Sequence, residues 1–334
     1  MIFRRLKAVL SEDARCMSYL HECPKNISPR KASTLALLTA ALIWGGTFVI
    51  VKVSVQTIPP FSFVFGRFAI AFVLLTAFSW REMKTNWRVH FPPSLFLGVL
   101  LFVGFTLQVW GLQRTSASGA GFITGLSVAL VAALDILVNR RRPTLLNLLG
   151  LISAVAGLVA LSLGQSKLVS LGNLLVLGCA VAFGLHVFYT DRFSKRFDVK
   201  VLTAEQIGVV AIVAFGGASL NGELNFMPSH YAIFGLLYTG VLATALAYFL
   251  QTWGQKHAHA TYSAIVLAAE PVFAATFAVA LLAESPKIQL ITAGILVTIG
   301  MILASLRRQK PQTNVDSAKS GEPYSVSCSA KNMF

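Results

Sequence analysis

The sequence predicts an all-α integral membrane protein with ten transmembrane helices, arranged as two inverted five-helix repeats. Three observations indicate this fold class: a low content of charge, ten long apolar stretches, and an internal repeat. Only 12% of the 334 residues are charged, about half the share usual in a soluble domain. The mean hydropathy is +0.70. Because so many apolar side chains cannot be buried in soluble cores, the composition excludes a water-soluble enzyme, and it is too apolar for a disordered chain.

The predicted helices are apolar stretches of the length that a bilayer requires. A helix needs about 20 apolar residues to cross the hydrocarbon core. Ten such stretches occur, separated by short polar or charged joints. They cover residues 34–53, 61–79, 94–112, 119–138, 145–163, 171–190, 202–220, 231–250, 260–282 and 288–306.

The distribution of Lys and Arg indicates the orientation of these helices. With the N-terminus inside, 23 of the 28 basic residues fall on the cytoplasmic side, four fall outside, and Arg67 lies within the second span. Since basic loops stay in the cytoplasm, we expect both termini there and the protein in the cytoplasmic (inner) membrane. The net charge of +15 therefore reflects topology and contact with anionic lipid, and no nucleic-acid partner is expected.

The sequence repeats itself with two slightly different offsets. An offset of 143 residues aligns Gln108, Trp110 and Gly111 with Gln251, Trp253 and Gly254. An offset of 139 aligns Trp44 and Gly45 with Phe183 and Gly184, and Arg67 with Gln206. The repeat predicts an N-terminal cytoplasmic tail (1–33), a first half (34–166), a second half (167–306) and a C-terminal cytoplasmic tail (307–334).

The two halves must have opposite orientations, because each contains an odd number of spans. The loop charges agree: the Arg triplet 140–142 before Pro143 corresponds to the sequence Ala-Glu-Ser before Pro286. Inverted repeats of this kind are typical of secondary transporters, in which symmetry supplies two similar conformations, one open to each face.

Several motifs resemble the EamA-type ten-helix members of the drug/metabolite transporter superfamily. They are residues 44–48 (WGGTF), residues 65–67 (FGR), Gly111, Gly254, and residues 270–273 (EPVF) followed by Glu284. The resemblance covers about residues 34–306 and implies export or exchange of small metabolites, such as amino acids, by alternating access without ATP. In the first half Val128 and Arg141 stand where the family pattern has Pro and Glu, so no role is transferred to them.

Glu270 and Arg67 are the charged residues of greatest interest within the predicted spans. Glu270 lies about midway along its span, and Pro271 removes a backbone donor there and kinks the helix. A carboxyl at this depth could bind a cationic amine or carry a coupling proton, or it could be a neutral group that packs helices together. Arg67 could attract a substrate carboxylate, or it could extend toward the membrane surface or pair with a carboxyl.

The other candidates for the substrate or proton pathway are polar and aromatic residues within spans. They are Trp44, Thr47, Gln108, His186, Gln206, Gln251 and Trp253. The tryptophans could stack on a substrate or serve as packing and interfacial residues, and the glutamines could hold helices together or touch a ligand. Glu205, in the first turn of its helix, is expected to be solvated.

The sequence thus predicts a transporter of a small-molecule substrate with no catalytic residues, no metal and no cofactor. Phosphate-binding loops and hydrolase motifs are lacking. Two alternatives stay open. One is a membrane-embedded enzyme that uses Glu270, Asp135 and His186; the other is a lipid-handling or scaffold protein without a path for solutes. The sequence makes no prediction of an oligomeric state.

Overall fold

A computed structural model describes residues 29–115, 117–139, 144–162, 170–224, 230–282 and 288–305. Regular structure within these ranges is helical throughout. The helices are α1 (Pro29–Ser54), α2 (Pro60–Leu112), α3 (Ala117–Gly125), α4 (Ser127–Asn139), α5 (Leu145–Ser162), α6 (Leu171–Ser194), α7 (Val199–Leu220), α8 (His230–Leu237), a π-helix (Tyr238–Leu246), α9 (Ala247–Lys256), α10 (Ala260–Leu267), α11 (Glu270–Leu282) and α12 (Ile288–Ser305). Residues 1–28 of the predicted N-terminal tail, the C-terminal tail 307–334, and the loops with Arg141 and Glu284 lie outside the described residues.

Eight described segments are long and apolar enough to cross a membrane. They are Lys31–Ser54, Pro60–Thr85, Trp87–Leu112, Ala120–Val138, Leu171–Ser194, Val199–Leu220, His230–Lys256 and Ala260–Phe277. Shorter apolar helical runs, Leu145–Gly157 and Ile291–Gly300, occupy the fifth and tenth predicted positions. The number and length of these segments are those of a multi-pass membrane protein.

The surface of the helices is apolar, as a lipid environment requires. Large apolar side chains are exposed on most of the helices, and examples are Leu137, Ile212, Leu220 and Tyr231, each at least 70% exposed. In water such a surface would promote aggregation. The exposed side chains therefore face lipid, and the buried cores between helices contain Phe, Ala, Val and Leu.

Helix α2 consists of two helices that meet at a kink at Ser79, where φ is −111° and ψ is 15°. The sequence predicted two spans here, at 61–79 and 94–112, and the structure differs only in the polar joint between them, which is helical. The Ser79 hydroxyl donates to the Leu75 carbonyl at 2.6 Å and so competes with the helical hydrogen bonds at the bend. The joint is helical because Arg81, Glu82 and Lys84 are strong helix formers.

Two predicted spans are each interrupted near their middle. The span at 260–282 breaks between α10 and α11, just before Pro271, where the sequence predicts a kink. The span at 119–138 breaks at Leu126, between α3 and α4, although no proline is present there. Ser127 and Glu270, which begin α4 and α11, are separated by the repeat offset of 143 residues.

Glycines allow close helix crossings that recur between the halves. A Cβ added to Gly111 would lie 3.0 Å from the Gly172 carbonyl oxygen, and one added to Gly254 would lie 3.3 Å from the Ser33 carbonyl oxygen. Gly111 and Gly254 differ by 143 residues, and Ser33 and Gly172 differ by 139. The same helix crossing therefore occurs twice, at positions related by the sequence repeat.

The crossing of α5 and α12 relates the halves in the same way. A Cβ on Gly157 would lie 3.0 Å from the Ala293 carbonyl oxygen, and one on Gly300 would lie 2.7 Å from the Gly150 carbonyl oxygen. Both pairs of positions differ by 143 residues. The two helices therefore exchange equivalent contacts.

Glu205 is buried, and the expectation of a solvated residue is wrong. Its side chain is only 7% exposed and lies beside the Ser94 hydroxyl of α2. Burial follows from the close packing of α7 on α2: a Cβ on Gly98, one turn after Ser94, would lie 2.8 Å from the Gln206 carbonyl oxygen.

Candidate functional site

A cavity lies among helices from both halves of the chain. The walls come from α1, α2, α6 and α9 and from the two broken helices, α3 with α4 and α10 with α11. The breaks before Ser127 and Glu270 therefore open onto the cavity. A discontinuous helix at a cavity is a frequent arrangement in transporters, since it exposes polar backbone groups to the bound solute.

Seven of the nine predicted pathway residues line this cavity. They are Trp44, Thr47, Arg67, Gln108, His186, Gln251 and Glu270, and Pro271 lines it as well. Gln206 does not line the cavity, but its side chain forms a hydrogen bond with His186, which does. Trp253 lies outside it, where its ring packs on His257 with a centroid distance of 4.6 Å.

Arg67 is a buried cation at the cavity wall. It is 2% exposed, and its Nε donates to the Thr244 hydroxyl at 3.0 Å. Its guanidinium carbon lies 4.6 Å from the centroid of the Phe105 ring, within the distance of a cation–π interaction. Among the described residues no carboxylate lies within ion-pair distance of Arg67. The guanidinium is therefore available to an anionic group in the cavity.

Glu270 presents a carboxyl to the same cavity. Its side chain is partly accessible there, at the N-terminus of α11. No hydrogen bond or ion pair to its carboxyl is present among the residues that the structure describes. The Tyr248 phenol lies within electrostatic range of both Arg67 and Glu270, so the three polar groups share one site.

The His186 imidazole lines the cavity, and side chains outside the cavity wall hold the ring in place. Its Nε2 is 2.8 Å from Gln206 Oε1 and 3.4 Å from the Thr190 hydroxyl. Its ring also packs edge-on against Tyr248, at a centroid distance of 5.8 Å. These contacts fix the ring, and both hydrogen bonds involve Nε2.

An aromatic wall completes the site. The Trp44 and Tyr248 rings pack at a centroid distance of 5.0 Å, and Phe105 packs on Phe183 at the same distance. The Trp44 indole N–H donates to the Ala243 carbonyl at 2.7 Å, so that this side chain is fixed in position. The site therefore combines an apolar surface with a few charged groups, as pockets for small metabolites do.

Most of the lining residues form pairs at equivalent positions of the repeat. The pairs are Trp44 and Phe183, Thr47 and His186, Phe105 and Tyr248, Gln108 and Gln251, Thr124 and Leu267, Ser127 and Glu270, and Val128 and Pro271. The ionisable members, His186 and Glu270, are matched by Thr47 and Ser127, and Arg67 corresponds to Gln206. The cavity is therefore symmetric in position and asymmetric in charge.

Sequence reasoning missed Phe105, Phe183, Tyr248 and Ser127. Aromatic residues within spans are commonly packing residues, and a serine has no charge to draw attention. The repeat could have identified Phe105 and Tyr248, because the offset that aligns Gln108 with Gln251 also aligns these two rings.

Comparison with known proteins assigns the family. The sequence profile of the EamA-like transporter family matches residues 31–163 and again residues 170–306. The chain belongs to the EamA-like transporter family. This EamA-family protein is 32% identical over 278 residues to an uncharacterized transporter of Archaeoglobus fulgidus, covering 83% of this chain and 87% of the relative.

More distant relatives have the same character. The uncharacterized transporter YoaV of Bacillus subtilis is 23% identical and covers 80% of the EamA-family chain and 95% of its own length. A solved crystal structure aligns over 83% of this chain and 97% of its own, with a TM-score of 0.70 and 20% identity, so the two share a fold. The family and these named relatives are transporters and not enzymes, in agreement with the sequence prediction.

The geometry gives no support to a metal site or to an enzyme centre. Within the described ranges no group of three His, Cys, Asp or Glu residues could hold a metal ion. Asp135, which the enzyme alternative requires, does not line the cavity; its carboxylate accepts from the Thr261 hydroxyl at 2.7 Å, between α4 and α10. Asp135 is therefore not part of one reaction centre with Glu270 and His186.

Proposed function

We propose that this EamA-family protein is a secondary transporter that exports or exchanges a small metabolite by alternating access, with an amino acid as the candidate class. The observation that carries the proposal is the cavity with Arg67 and Glu270 on its wall. A zwitterion would place its carboxylate on Arg67 and its ammonium group near Glu270. The aromatic wall would accept the apolar part of the substrate.

Charge pairing explains why such a substrate fits better than a neutral one. Buried ionisable groups without partners destabilise a protein, whereas a ligand of opposite charge satisfies them. Arg67 and Glu270 do not satisfy each other, because no ion pair joins them among the described residues. A substrate with both charges would compensate each of the two groups.

The repeated helix crossings support alternating access between two inverted halves. Equivalent glycine contacts, the paired cavity residues and the two family matches all follow the same offsets. Ten membrane helices, in halves 34–166 and 167–306, are the arrangement that we propose. The excess of Lys and Arg in alternate loops supports cytoplasmic tails at 1–33 and 307–334 and a location in the inner membrane.

Glu270 is proposed to couple transport to protons. A single carboxyl that binds either a proton or an ammonium group allows the one to displace the other. Entry of protons down their gradient would then drive export of the substrate. Membrane lipid is the other expected partner, and no cofactor has a role in this scheme.

Counterflow in proteoliposomes tests the proposed function. Purified protein is reconstituted into liposomes that contain an unlabelled mixture of the proteinogenic amino acids. Uptake of the same mixture in labelled form is then followed in the absence of ATP. The proposal predicts transient accumulation of label above that of protein-free liposomes, and fractionation of the label then identifies the substrate. Accumulation no greater than that of protein-free liposomes would show that the amino-acid assignment is wrong.

A further inference from the structure

The second half of the chain contains a π-helix where the first half is α-helical. It spans Tyr238–Leu246 and leads directly into α9, which carries the cavity residues Tyr248 and Gln251. The matching stretch of α2, which carries Phe105 and Gln108, has helical backbone angles throughout. π-helices are rare, and they occur frequently at functional sites.

A one-residue insertion in the second half accounts for the π-helix. A Cβ on Gly98 would lie 2.8 Å from the Gln206 carbonyl oxygen, and one on Gly240 would lie 3.1 Å from the carbonyl oxygen of its counterpart Arg67. From Gly98 to Gln108 the chain advances by 10 residues, whereas from Gly240 to Gln251 it advances by 11. The additional residue falls within the π-helix, whose wider turn accommodates it.

The π-helix offers two polar groups to the cavity wall. The backbone N–H of Ala247 donates to the carbonyl oxygens of Leu242 and Thr244 instead of that of Ala243. The Ala243 carbonyl accepts the Trp44 indole N–H at 2.7 Å. The Thr244 hydroxyl donates to the Thr239 carbonyl, five residues earlier, at 2.7 Å.

Thr244 thereby becomes an oriented acceptor for Arg67. A hydroxyl has one proton, and donation of that proton to Thr239 leaves its lone pairs for the Arg67 Nε–H, which lies 3.0 Å away. With Nε fixed, the two Nη groups of the guanidinium are directed elsewhere, and no described residue accepts from them. By the two offsets that flank the insertion, the first half has Leu101 or Phe102 at the equivalent position, and neither side chain has a hydroxyl.

We propose that Thr244 is a positioning residue that orients Arg67 for an anionic group of the substrate, and that the π-helix places Thr244 for this purpose. The inference rests on the proposed function, because it assumes that Arg67 binds substrate. It extends that function by assigning recognition of the anionic group to the π-helix, which the matching stretch of α2 lacks. The counterpart of Arg67 in the second half, Gln206, holds His186 instead.

Uptake kinetics of three Thr244 variants test this assignment, with the labelled mixture of protein amino acids as the probe. Thr244→Val and Thr244→Ala remove the hydroxyl, and Thr244→Ser keeps it. Loss of a hydrogen bond to a charged group should raise KM about tenfold in the Val and Ala variants. Because the defect is in binding, the maximal rate per folded protein should be unchanged, and Thr244→Ser should match the wild type.

Thr252→Val is the matched control, since Thr252 is also buried and its hydroxyl donates only to the Tyr248 carbonyl of its own helix. Its KM is expected to stay at the wild-type value. If Arg67→Lys raises KM but Thr244→Val and Thr244→Ala do not, the positioning role is wrong and the proposed function stands. If a folded Val or Ala variant loses maximal rate with unchanged KM, Thr244 has only a structural role. If the wild type takes up none of the mixture, the amino-acid proposal and this inference both fail.

Discussion

Arg67 and Glu270 line one cavity, and no ion pair joins them among the residues that the structure describes. In a soluble protein such groups would be hydrated, but within a membrane each must be compensated by the protein or by a ligand. Their common exposure to a cavity that both halves of the chain form is the physical basis of the transport proposal.

Replacing Arg67 by Lys tests its role in binding an anionic group. Lysine keeps the charge but lacks the planar donor array that a carboxylate can accept from in a bidentate manner. We expect KM for amino-acid uptake to rise about tenfold or more. Arg114→Lys is the control, since Arg114 is exposed and its Nη1 donates to the Trp110 carbonyl. Equal KM values in the two variants would show that Arg67 does not bind the substrate.

Replacing Glu270 by Gln tests coupling to protons. Glutamine has a similar shape but does not bind and release a proton, so uptake driven by a pH gradient should be abolished while the protein stays folded. Glu205→Gln is the matched control because it changes a buried carboxyl of α7 that does not line the cavity. If liposomes that contain the Glu270→Gln variant show uptake driven by a pH gradient at the wild-type rate, the proposed role of Glu270 is wrong.

The sequence was sufficient to predict the helical class and the charged and amide side chains that line the cavity. Arg67 and Glu270 were identifiable because charge is rare in apolar spans, and Gln108 and Gln251 because they repeat. The outlying case is Trp253, which shares the repeated motif but lies outside the cavity. A sequence motif can repeat because it forms a helix crossing, and not only because it forms a binding site. Here Gly254, next to Trp253, makes the close crossing with Ser33 of α1.

Departures of the backbone from regular α-helical geometry were not predictable from hydropathy. At the bend the Ser79 hydroxyl donates to the Leu75 carbonyl, and no proline lies there to indicate it. The break at Leu126 has no proline to indicate it, in contrast to the break before Pro271. The π-helix depends on one additional residue, which an ungapped comparison of the two halves from Gln108 onward does not reveal.

Cysteine labelling tests whether the cavity is open to water. Val128 and Leu267 line it from the two broken helices. In a background without the four native cysteines, Val128→Cys and Leu267→Cys should react with a water-soluble maleimide. Ile295→Cys is the control, since this side chain is 56% exposed on the apolar surface of α12 and should be shielded by lipid. Protection of all three positions would favour a scaffold without a path for solutes.

Replacing Gly45 by Ala tests the close approach of α1 to α11. The new Cβ would lie 2.5 Å from the Phe273 Cβ and 2.9 Å from the Ala274 backbone nitrogen, so the helices must move apart. We expect a loss of stability of about 1–3 kcal/mol, measured as a lower unfolding temperature in detergent. Gly216→Ala is the control because no atom lies within 4 Å of its added Cβ. Equal unfolding temperatures would contradict the packing of α1 on α11.

Labelling of two corresponding loops tests the inverted arrangement most directly. Lys84 follows the second predicted span, and Asn221 follows the seventh, its counterpart in the second half; both residues are exposed. With single cysteines at these positions, a membrane-impermeant maleimide should label Asn221→Cys in intact cells and Lys84→Cys only after the membrane is permeabilised. Labelling of both positions from the same side would mean that the halves are not inverted, and the alternating-access proposal would then have to be abandoned.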